Sequence, residues 1–196
     1  MFDLPLSARL ATMATFGYAV GCLNAGYYLV RARRGADLRA VHSGNAGATN
    51  AGRVLGRRGF AVVLMLDALK GTFAALLGAS LAGYPGAATG ALAAVCGHVW
   101  PAQLGWRGGK GIATAIGAFL VVEPLATSTT ITVAFLLFAM SRRWSASGLS
   151  AVMLAPIILV AVGRPPRAAI AVAIAGAVVL FAHRDELRAL WTTPTA

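Results

Sequence analysis

The sequence predicts an all-α integral membrane protein with about seven transmembrane helices, several of them short. Apolar residues make up 58% of its 196 residues and charged residues only 12%, whereas about a quarter of a soluble domain is charged. Seven apolar stretches recur along the chain, and most basic residues lie in alternate connections between them. These observations predict one polytopic domain over residues 1–196, with the N-terminus outside and the C-terminus in the cytoplasm.

The apolar stretches cover, in chain order, residues 10–30, 60–81, 87–104, 112–122, 125–140, 149–162 and 168–182. We expect the first to remain as a helix and not to be cleaved as a signal peptide, because its basic cluster follows it. Several stretches fall short of the roughly 20 residues that cross the hydrocarbon. Since short stretches flank glycine-rich loops, they predict helices that start or stop within the membrane around a polar cavity. Five or six full spans with surface helices are the alternative.

Basic residues predict the orientation. If the connections alternate sides, thirteen basic residues share one side: Arg31, Arg33, Arg34, Arg39, Arg53, Arg57, Arg58, Arg107, Lys110, Arg142, Arg143, Arg184 and Arg188. Arg9, Arg164 and Arg167 lie on the other side, and Lys70 lies inside a helix. By the positive-inside rule, the richer side faces the cytoplasm. Topology and lipid headgroups account for the net charge of +11, so we expect membrane lipids as partners and no nucleic acid.

Two glycine-studded basic segments interrupt the apolar sequence: residues 42–53, the first glycine loop, and residues 105–111, the second glycine loop. Glycine lets backbone N–H groups approach a ligand closely, and Arg53 and Lys110 supply positive charge, which together suits a phosphate. An ordinary cytoplasmic turn is the alternative for the first loop. The second loop precedes a plausible helix start, where backbone amides and Lys110 form an anion site. Gly111 after the lysine excludes a Walker A motif.

Other polar groups lie near these loops in the predicted topology. Asp67 and Lys70 are three residues apart inside an apolar stretch, so they share one helix face. We interpret them as an ion pair that fixes helix packing and supports the loops; groups that face a cavity are the alternative. Ser145, in the third cytoplasmic connection, is a candidate for the same cavity. His183, taken alone, is more typical of an interface residue than of a catalyst.

The cysteines Cys22 and Cys96 lie inside apolar stretches, and the cysteines and histidines lack zinc-ligand spacing. We therefore expect no metal site and no cofactor.

In order and spacing, these residues resemble the PlsY family of membrane acyl-phosphate:glycerol-3-phosphate acyltransferases. The matching motifs are Ser43-Gly44-Asn45-Ala46-Gly47-Ala48-Thr49-Asn50 with Arg53, Asp67-x-x-Lys70-Gly71, Gly97-His98 with Pro101, and Gly108-Gly109-Lys110-Gly111-x-Ala113-Thr114. The resemblance implies a seven-helix enzyme of the bacterial inner membrane with its active site at the cytoplasmic face. It implies transfer of a fatty acyl group from acyl phosphate to the 1-hydroxyl of glycerol 3-phosphate. The products would be lysophosphatidic acid, for phospholipid synthesis, and phosphate.

The resemblance also implies roles for individual residues. The catalytic residues would be Ser43, Arg53, Lys110 and His183. The substrate- and phosphate-binding residues would be Gly44, Asn45, Gly47, Thr49, Asn50, Gly108, Gly109, Gly111, Ser145 and Glu186. The supporting residues would be Asp67, Lys70 and His98. The proton of the acceptor hydroxyl could leave through His183 or through a substrate phosphate oxygen, and the sequence leaves both routes open.

Two positions depart from the family pattern. Ala46 replaces a proline, which removes a φ constraint and should mainly loosen the loop. Glu186 stands where the last motif has asparagine, and an ionised glutamate only accepts hydrogen bonds and repels an anion. In one interpretation Glu186 pairs with Arg184 or Arg188, or receives the acceptor's proton. In the other, the protein is a weakened enzyme or uses another acyl acceptor.

A transporter of phosphorylated metabolites that uses the same anion-binding loops is a hypothesis from a different class. The motif match argues against it. The sequence leaves acyl-chain preference and oligomeric state open.

Overall fold

The computed structural model describes residues 4–192, with side chains up to residue 188, and every regular element in that range is helical. The eight α-helices are α1 Leu6–Gly21, α2 Ala25–Arg34, α3 Ala48–Val99, α4 Ile112–Val122, α5 Pro124–Ser141, α6 Trp144–Ala161, α7 Pro166–Ala182 and α8 Arg184–Thr192. Short 3-10 helices cover Leu38–Ala40 and Ala102–Leu104. No strand occurs among residues 4–192, which confirms the all-α prediction. The chain divides between Val122 and Glu123 into two compact units.

Three helical segments are long and apolar enough to cross a membrane: Ala48–Leu104, Pro124–Ser141 and Trp144–Ala161. Two shorter apolar helices, Ile112–Val122 and Pro166–Ala182, accompany them. The short helices agree with the expectation that several stretches do not reach full spanning length. The number of spans and the sides of the two termini stay predictions.

Helix α3 consists of three pieces that fold back on one another at two glycines, because a Cβ at Gly78 would overlap the carbonyl of Gly86 and one at Gly90 would overlap that of Ala74. Gly56 and Gly83 have φ of 74° and 59°, values that favour glycine because a Cβ clashes there. The bends divide α3 into pieces at 48–55, 57–81 and 84–99, the last two of which correspond to two of the predicted apolar stretches. The Arg9 side chain donates to the carbonyl of Leu81 at 3.0 Å. This hydrogen bond satisfies an acceptor that the second bend leaves without an intrahelical donor.

The prediction of a single helix over residues 10–30 was wrong, because the chain breaks between α1 and α2. The break leaves carbonyls that no intrahelical N–H reaches, and side chains distant in sequence take them. Gln103 Nε2 donates to the carbonyl of Cys22 at 2.6 Å, and Lys70 Nζ donates to that of Leu23 at 2.8 Å. These donors make a break tolerable inside an apolar stretch, since the freed backbone groups are satisfied by protein.

Helix α1 packs closely on the 84–99 piece of α3 through small residues. A Cβ at Gly17 would lie 2.7 Å from the carbonyl oxygen of Gly90, and one at Gly21 would overlap the carbonyl of Ala94. Backbones approach this closely only where side chains are absent or small. The Gly17-x-x-x-Gly21 motif therefore packs two helices of the same chain against each other.

Helix α4 packs on the 57–81 piece of α3 in the same way, and this contact fixes the position of its N-terminus. A Cβ at Gly71 would overlap the carbonyl of Thr114, and one at Gly117 would overlap the carbonyl of Ala68. The Thr72 hydroxyl also donates to the carbonyl of Gly117 at 2.9 Å. Because the second glycine loop leads directly into α4, this packing places one end of that loop.

In the second unit, an ion pair between a buried carboxylate and an exposed arginine joins two turns. The Glu123 carboxylate precedes α5 and accepts a hydrogen bond from Arg164 at 3.0 Å, with Glu123 almost fully buried. Ala126, Leu159 and Ala168 form a buried apolar cluster. The pair compensates the cost of burying the carboxylate.

Candidate active site

The first glycine loop is organised by the buried side chain of Asn50. Its Nδ2 lies 3.0 Å from the carbonyl oxygens of Leu38 and Val41 and 2.9 Å from that of Asn45, and its Oδ1 lies 3.4 Å from the Ser43 N–H. An amide that is buried and engaged on both sides stabilises one loop conformation. This geometry favours a positioning role for Asn50 over the substrate contact predicted for it.

The loop leads into α3 through a short turn. Gly44 has a φ of 67°, and Asn45 Oδ1 accepts a hydrogen bond from the Gly47 N–H at 2.7 Å. Gly47 is the N-cap of α3, so the N–H groups of the first helical turn have no intrahelical acceptors. Thr49 is exposed in that turn, and Ser43 is exposed just before it. The turn therefore offers backbone amides and two hydroxyls at one helix N-terminus.

The second glycine loop folds back against the end of α3. The Gly108 N–H donates to the Val99 carbonyl at 3.1 Å, and the Gly109 N–H donates to the His98 carbonyl at 3.0 Å. A Cβ at Gly108 would overlap that same carbonyl of His98, and one at Gly109 would overlap its ring atom Nε2. Gly111, with a φ of 83°, turns the chain into α4. Close packing therefore requires glycine at positions 108 and 109, and the backbone conformation favours glycine at position 111.

The two glycine loops are joined, although about 60 residues separate them in sequence. The Ala46 N–H donates to the Gly108 carbonyl at 3.3 Å. Beside this contact, the Arg39 side chain donates to the carbonyl of Leu104 and pairs with Asp37 at 2.8 Å. The two glycine loops therefore form one region of the structure.

The ion pair between Arg39 and Asp37 depends on pH, because the Asp37 carboxylate can be protonated. The hydrogen bond from the Arg39 side chain holds the pKa of Asp37 below its usual value. A lowered carboxyl pKa contributes stability above the ordinary carboxyl pKa, and this contribution is lost as the pH falls through the lowered value. The bridge is therefore intact at neutral pH.

The predicted cations lie on these loops. Arg53 is exposed on the first piece of α3, one helical turn after Thr49 and on the same face. Arg53 also lines an open cleft of about 510 Å³. Lys110 is half-buried between Gly109 and Gly111. A guanidinium and an ammonium, together with helix N-termini, form a chemistry suited to phosphate.

A buried polar cluster lies beneath the second loop. Lys70 Nζ lies 2.9 Å from Asp67 Oδ1, 2.8 Å from His98 Nδ1 and 2.8 Å from the Leu23 carbonyl oxygen. The predicted ion pair is confirmed, and its lysine also donates to the Leu23 carbonyl and contacts the His98 ring. Because an ammonium only donates, His98 Nδ1 accepts and the neutral ring carries its proton on Nε2, the atom against Gly109. The cluster thereby connects the α1–α2 break to the second glycine loop.

The second unit holds the other three predicted residues. His183 is buried at the end of α7, and its Nδ1 donates to the Val179 carbonyl at 2.7 Å, so the neutral ring presents Nε2 as an acceptor. Ser145 is exposed in the first turn of α6. Glu186 is half-buried in the first turn of α8, where the helix dipole favours a carboxylate.

Sequence reasoning missed a second serine and the Arg39 contact. Ser147 is buried, and its hydroxyl lies 2.9 Å from both the Ser141 hydroxyl and the Arg143 carbonyl oxygen, which shapes the connection between α5 and α6. No sequence pattern indicated that Ser147 is buried, because the buried Leu149, two residues further on, does not share its helix face. Among the described residues, no group of three or more His, Cys, Asp or Glu side chains could hold a metal.

The apolar helices define an integral membrane protein, and its two basic glycine loops are joined by a backbone hydrogen bond. Comparison with known proteins makes it an acyltransferase. Residues 11–193 match the model of a family described as glycerol-3-phosphate acyltransferase, and the chain belongs to this family. It is a multi-pass bacterial membrane protein of the PlsY type.

Individual relatives support this assignment. The chain is 42% identical to glycerol-3-phosphate acyltransferase 1 of Desulfitobacterium hafniense, over 87% of this chain and 85% of the relative. It is 40% identical to the enzyme of that name from Myxococcus xanthus, over 90% and 93%. The fold matches the crystal structure of PlsY in its glycerol 3-phosphate form with a TM-score of 0.84 and 32% identity, over 93% of this chain and 92% of that chain. The lysophosphatidic acid form matches with a TM-score of 0.81 and 30% identity.

Proposed function

We propose that this protein transfers a fatty acyl group from acyl phosphate to the 1-hydroxyl of glycerol 3-phosphate, producing lysophosphatidic acid and phosphate. The observation that carries the proposal is the hydrogen bond from Ala46 to Gly108, which joins two basic glycine loops into one region. Relatives along nearly the whole chain are named glycerol-3-phosphate acyltransferases, and the similar crystal structures are of glycerol 3-phosphate and lysophosphatidic acid forms.

The chemistry needs no nucleophile from the protein. Acyl phosphate is a mixed anhydride whose leaving group is phosphate. The 1-hydroxyl oxygen of glycerol 3-phosphate forms a bond to the acyl carbonyl carbon, and the bond from that carbon to the phosphate oxygen breaks. The hydroxyl proton ends on the released phosphate, either directly or by way of a base. The protein must hold two anions, align them and stabilise charge on the departing phosphate.

The residues of the glycine loops supply these functions. Arg53 and Lys110 neutralise phosphate charge, and the hydroxyls of Ser43 and Thr49 add hydrogen bonds. The backbone amides in the first turns of α3 and α4 have no intrahelical acceptors and add fixed dipoles, which need no reorganisation during the reaction.

His183 is the proposed protein base, since its Nδ1–H is engaged with Val179 and its Nε2 can accept a proton. A substrate phosphate oxygen is the alternative acceptor. Ser145 and Glu186 complete the set of proposed substrate-binding positions.

The proposed location is the bacterial inner membrane, with the active site facing the cytoplasm. The support is the excess of basic residues in the connections that carry both glycine loops. Lysophosphatidic acid, as an amphiphile, would then enter the surrounding lipid.

The direct test is an assay of purified protein with palmitoyl phosphate and glycerol 3-phosphate that follows phosphate release and lysophosphatidic acid. We expect turnover that depends on both substrates, and none when palmitoyl-CoA replaces palmitoyl phosphate. Absence of turnover, together with uptake of glycerol 3-phosphate into proteoliposomes, would instead favour the transporter.

Glu186→Asn tests the departure from the family motif. The KM for glycerol 3-phosphate is expected to fall about fivefold, because one like-charge contact at a half-exposed position costs about 1 kcal/mol. The matched control is Asp185→Asn, which removes an exposed carboxylate from the same helical turn and should leave this KM unchanged. An unchanged KM in Glu186→Asn would show that the natural glutamate does not oppose the acceptor.

A further inference from the structure

The bend of α3 at Gly56 creates an open cleft. Of the residues that line it, only Thr49 and Arg53 have a role in the function proposed above. The piece at 48–55 folds back on the piece at 57–81, and a Cβ at Gly52 would lie 2.9 Å from the Cβ of Phe60. The cleft has a volume of about 510 Å³ and is lined by Thr49, Gly52, Arg53, Arg57, Phe60 and Ala61.

One side of this cleft is strongly basic. Arg53 and Arg57 both line it, and among the side chains of residues 4–188 no carboxylate pairs with either guanidinium. Residues 38–66 contain four arginines and no acidic residue. Two guanidinium groups without a carboxylate partner beside the N-terminal turn of α3 suit a phosphate group.

The other side is apolar and continues along the helix. Phe60 is 40% exposed and Leu64, one turn further, is 41% exposed on the same face. This part of α3 belongs to a segment long and apolar enough to span a membrane. The cleft therefore opens from two cations onto an apolar surface, the profile of a ligand with an anionic head and a hydrocarbon chain.

We propose that this cleft binds the acyl phosphate donor, with Arg57 and Arg53 holding its phosphate and Phe60 and Ala61 contacting the acyl chain. The inference rests on the proposed function and identifies which of its two substrates the cleft takes. Glycerol 3-phosphate has no apolar part that would use the Phe60 side. Arg57 is thus a donor-specific residue, whereas Arg53 also belongs to the first glycine loop.

The chain provides a matched control for Arg57. Arg58 is its neighbour in sequence, is equally exposed and carries the same charge, but it does not line the cleft. A general effect of net charge or of attraction to the membrane surface would be the same for both arginines. Only a specific binding site would make the substitution of Arg57 and the substitution of Arg58 differ in their effects.

The kinetic test compares Arg57→Gln with Arg58→Gln and measures the KM for each substrate separately. In Arg57→Gln we expect the KM for palmitoyl phosphate to rise about tenfold, the size of one lost charge-assisted hydrogen bond, and the KM for glycerol 3-phosphate to stay the same. Arg58→Gln should keep both values near wild type. Equal effects of the two substitutions, or an effect of Arg57→Gln on the KM for glycerol 3-phosphate, would overturn the proposal.

A binding measurement separates this proposal from the proposed function. Hexadecyl phosphate has the head and chain of the donor but no acyl group to transfer, so its binding can be followed by calorimetry without turnover. The wild type and Arg58→Gln should bind it alike, and Arg57→Gln about tenfold more weakly. If the wild type shows this pattern but transfers nothing from palmitoyl phosphate, the cleft stands and the proposed donor is wrong. If transfer occurs but hexadecyl phosphate binds Arg57→Gln normally, or phosphatidylglycerol competes equally well, the cleft is not the donor site.

Discussion

Lys110→Ala and Arg53→Ala are each expected to lower kcat/KM for acyl transfer by roughly 10²–10³-fold or more, the size of losing one preorganised group that stabilises developing charge. Both side chains lie on the joined glycine loops, and Lys110 is half-buried where its charge is less screened than in water. Arg107, the other charged side chain of the second glycine loop, is exposed. The measurement is steady-state kinetics with palmitoyl phosphate and glycerol 3-phosphate.

Two substitutions control for this result. Arg107→Ala removes an exposed charge from the same second glycine loop and should change kcat/KM little. Lys110→Arg keeps the charge with a different shape and should retain part of the activity. Robust activity in both Lys110→Ala and Arg53→Ala would show that the proposed site is wrong.

Lys70→Met is expected to destabilise the protein by about 3–5 kcal/mol, because it leaves the carboxylate of Asp67 buried without its partner. The methionine fills similar space but donates no hydrogen bond to the Leu23 carbonyl or to His98 Nδ1. The effect should appear as a lower midpoint of thermal unfolding in detergent. Thr72→Val, two residues further on the same helix, removes the hydroxyl that the carbonyls of Gly117 and Ala68 share, and should cost about 1 kcal/mol.

The double substitution Lys70→Met with Asp67→Asn tests the cause. Removing the carboxylate's charge should restore part of the stability that Lys70→Met loses, which is the signature of an interacting pair. If the two losses simply add, the ion pair is not the source of the effect. A wild-type unfolding midpoint in Lys70→Met would contradict the role assigned to the cluster.

Local patterns in the sequence predicted much of the fold and the candidate site. The apolar stretches at 60–81 and 112–122 lie within helices of the structure, and Gly17 and Gly21, four residues apart on one helix face, pack on another helix. The glycines at 108, 109 and 111 marked a tight loop that the structure contains. These features follow from residue periodicity and from the absence of a Cβ, which neighbours in sequence already determine.

Features that depend on distant partners were not predictable. Gly21 and Asn24, the last residue of α1 and the N-cap of α2, are weak break signals inside the apolar stretch at 10–30, so hydropathy predicted one helix there. The break is stable because donors from Lys70 and Gln103, 47 and 81 residues away, reach the freed carbonyls. Asn50 likewise was predicted to bind a ligand, because it lies in a glycine-rich polar loop. Only the three backbone carbonyl oxygens around its side-chain amide show that it shapes the loop.

By itself, the sequence determined that this protein is helical and membrane-embedded, and that its polar chemistry lies in two basic glycine loops. The reason is that the composition of a segment reflects whether lipid or water surrounds it, and the length of an apolar stretch reflects whether a helix forms there. The tertiary structure decided which groups meet. It joined Ala46 to Gly108, placed three acceptors around Lys70, and turned Arg57 toward a cleft while leaving Arg58 outside. Such contacts are selected by the packing of the whole chain, since each buried donor must find an acceptor wherever the fold brings one within reach.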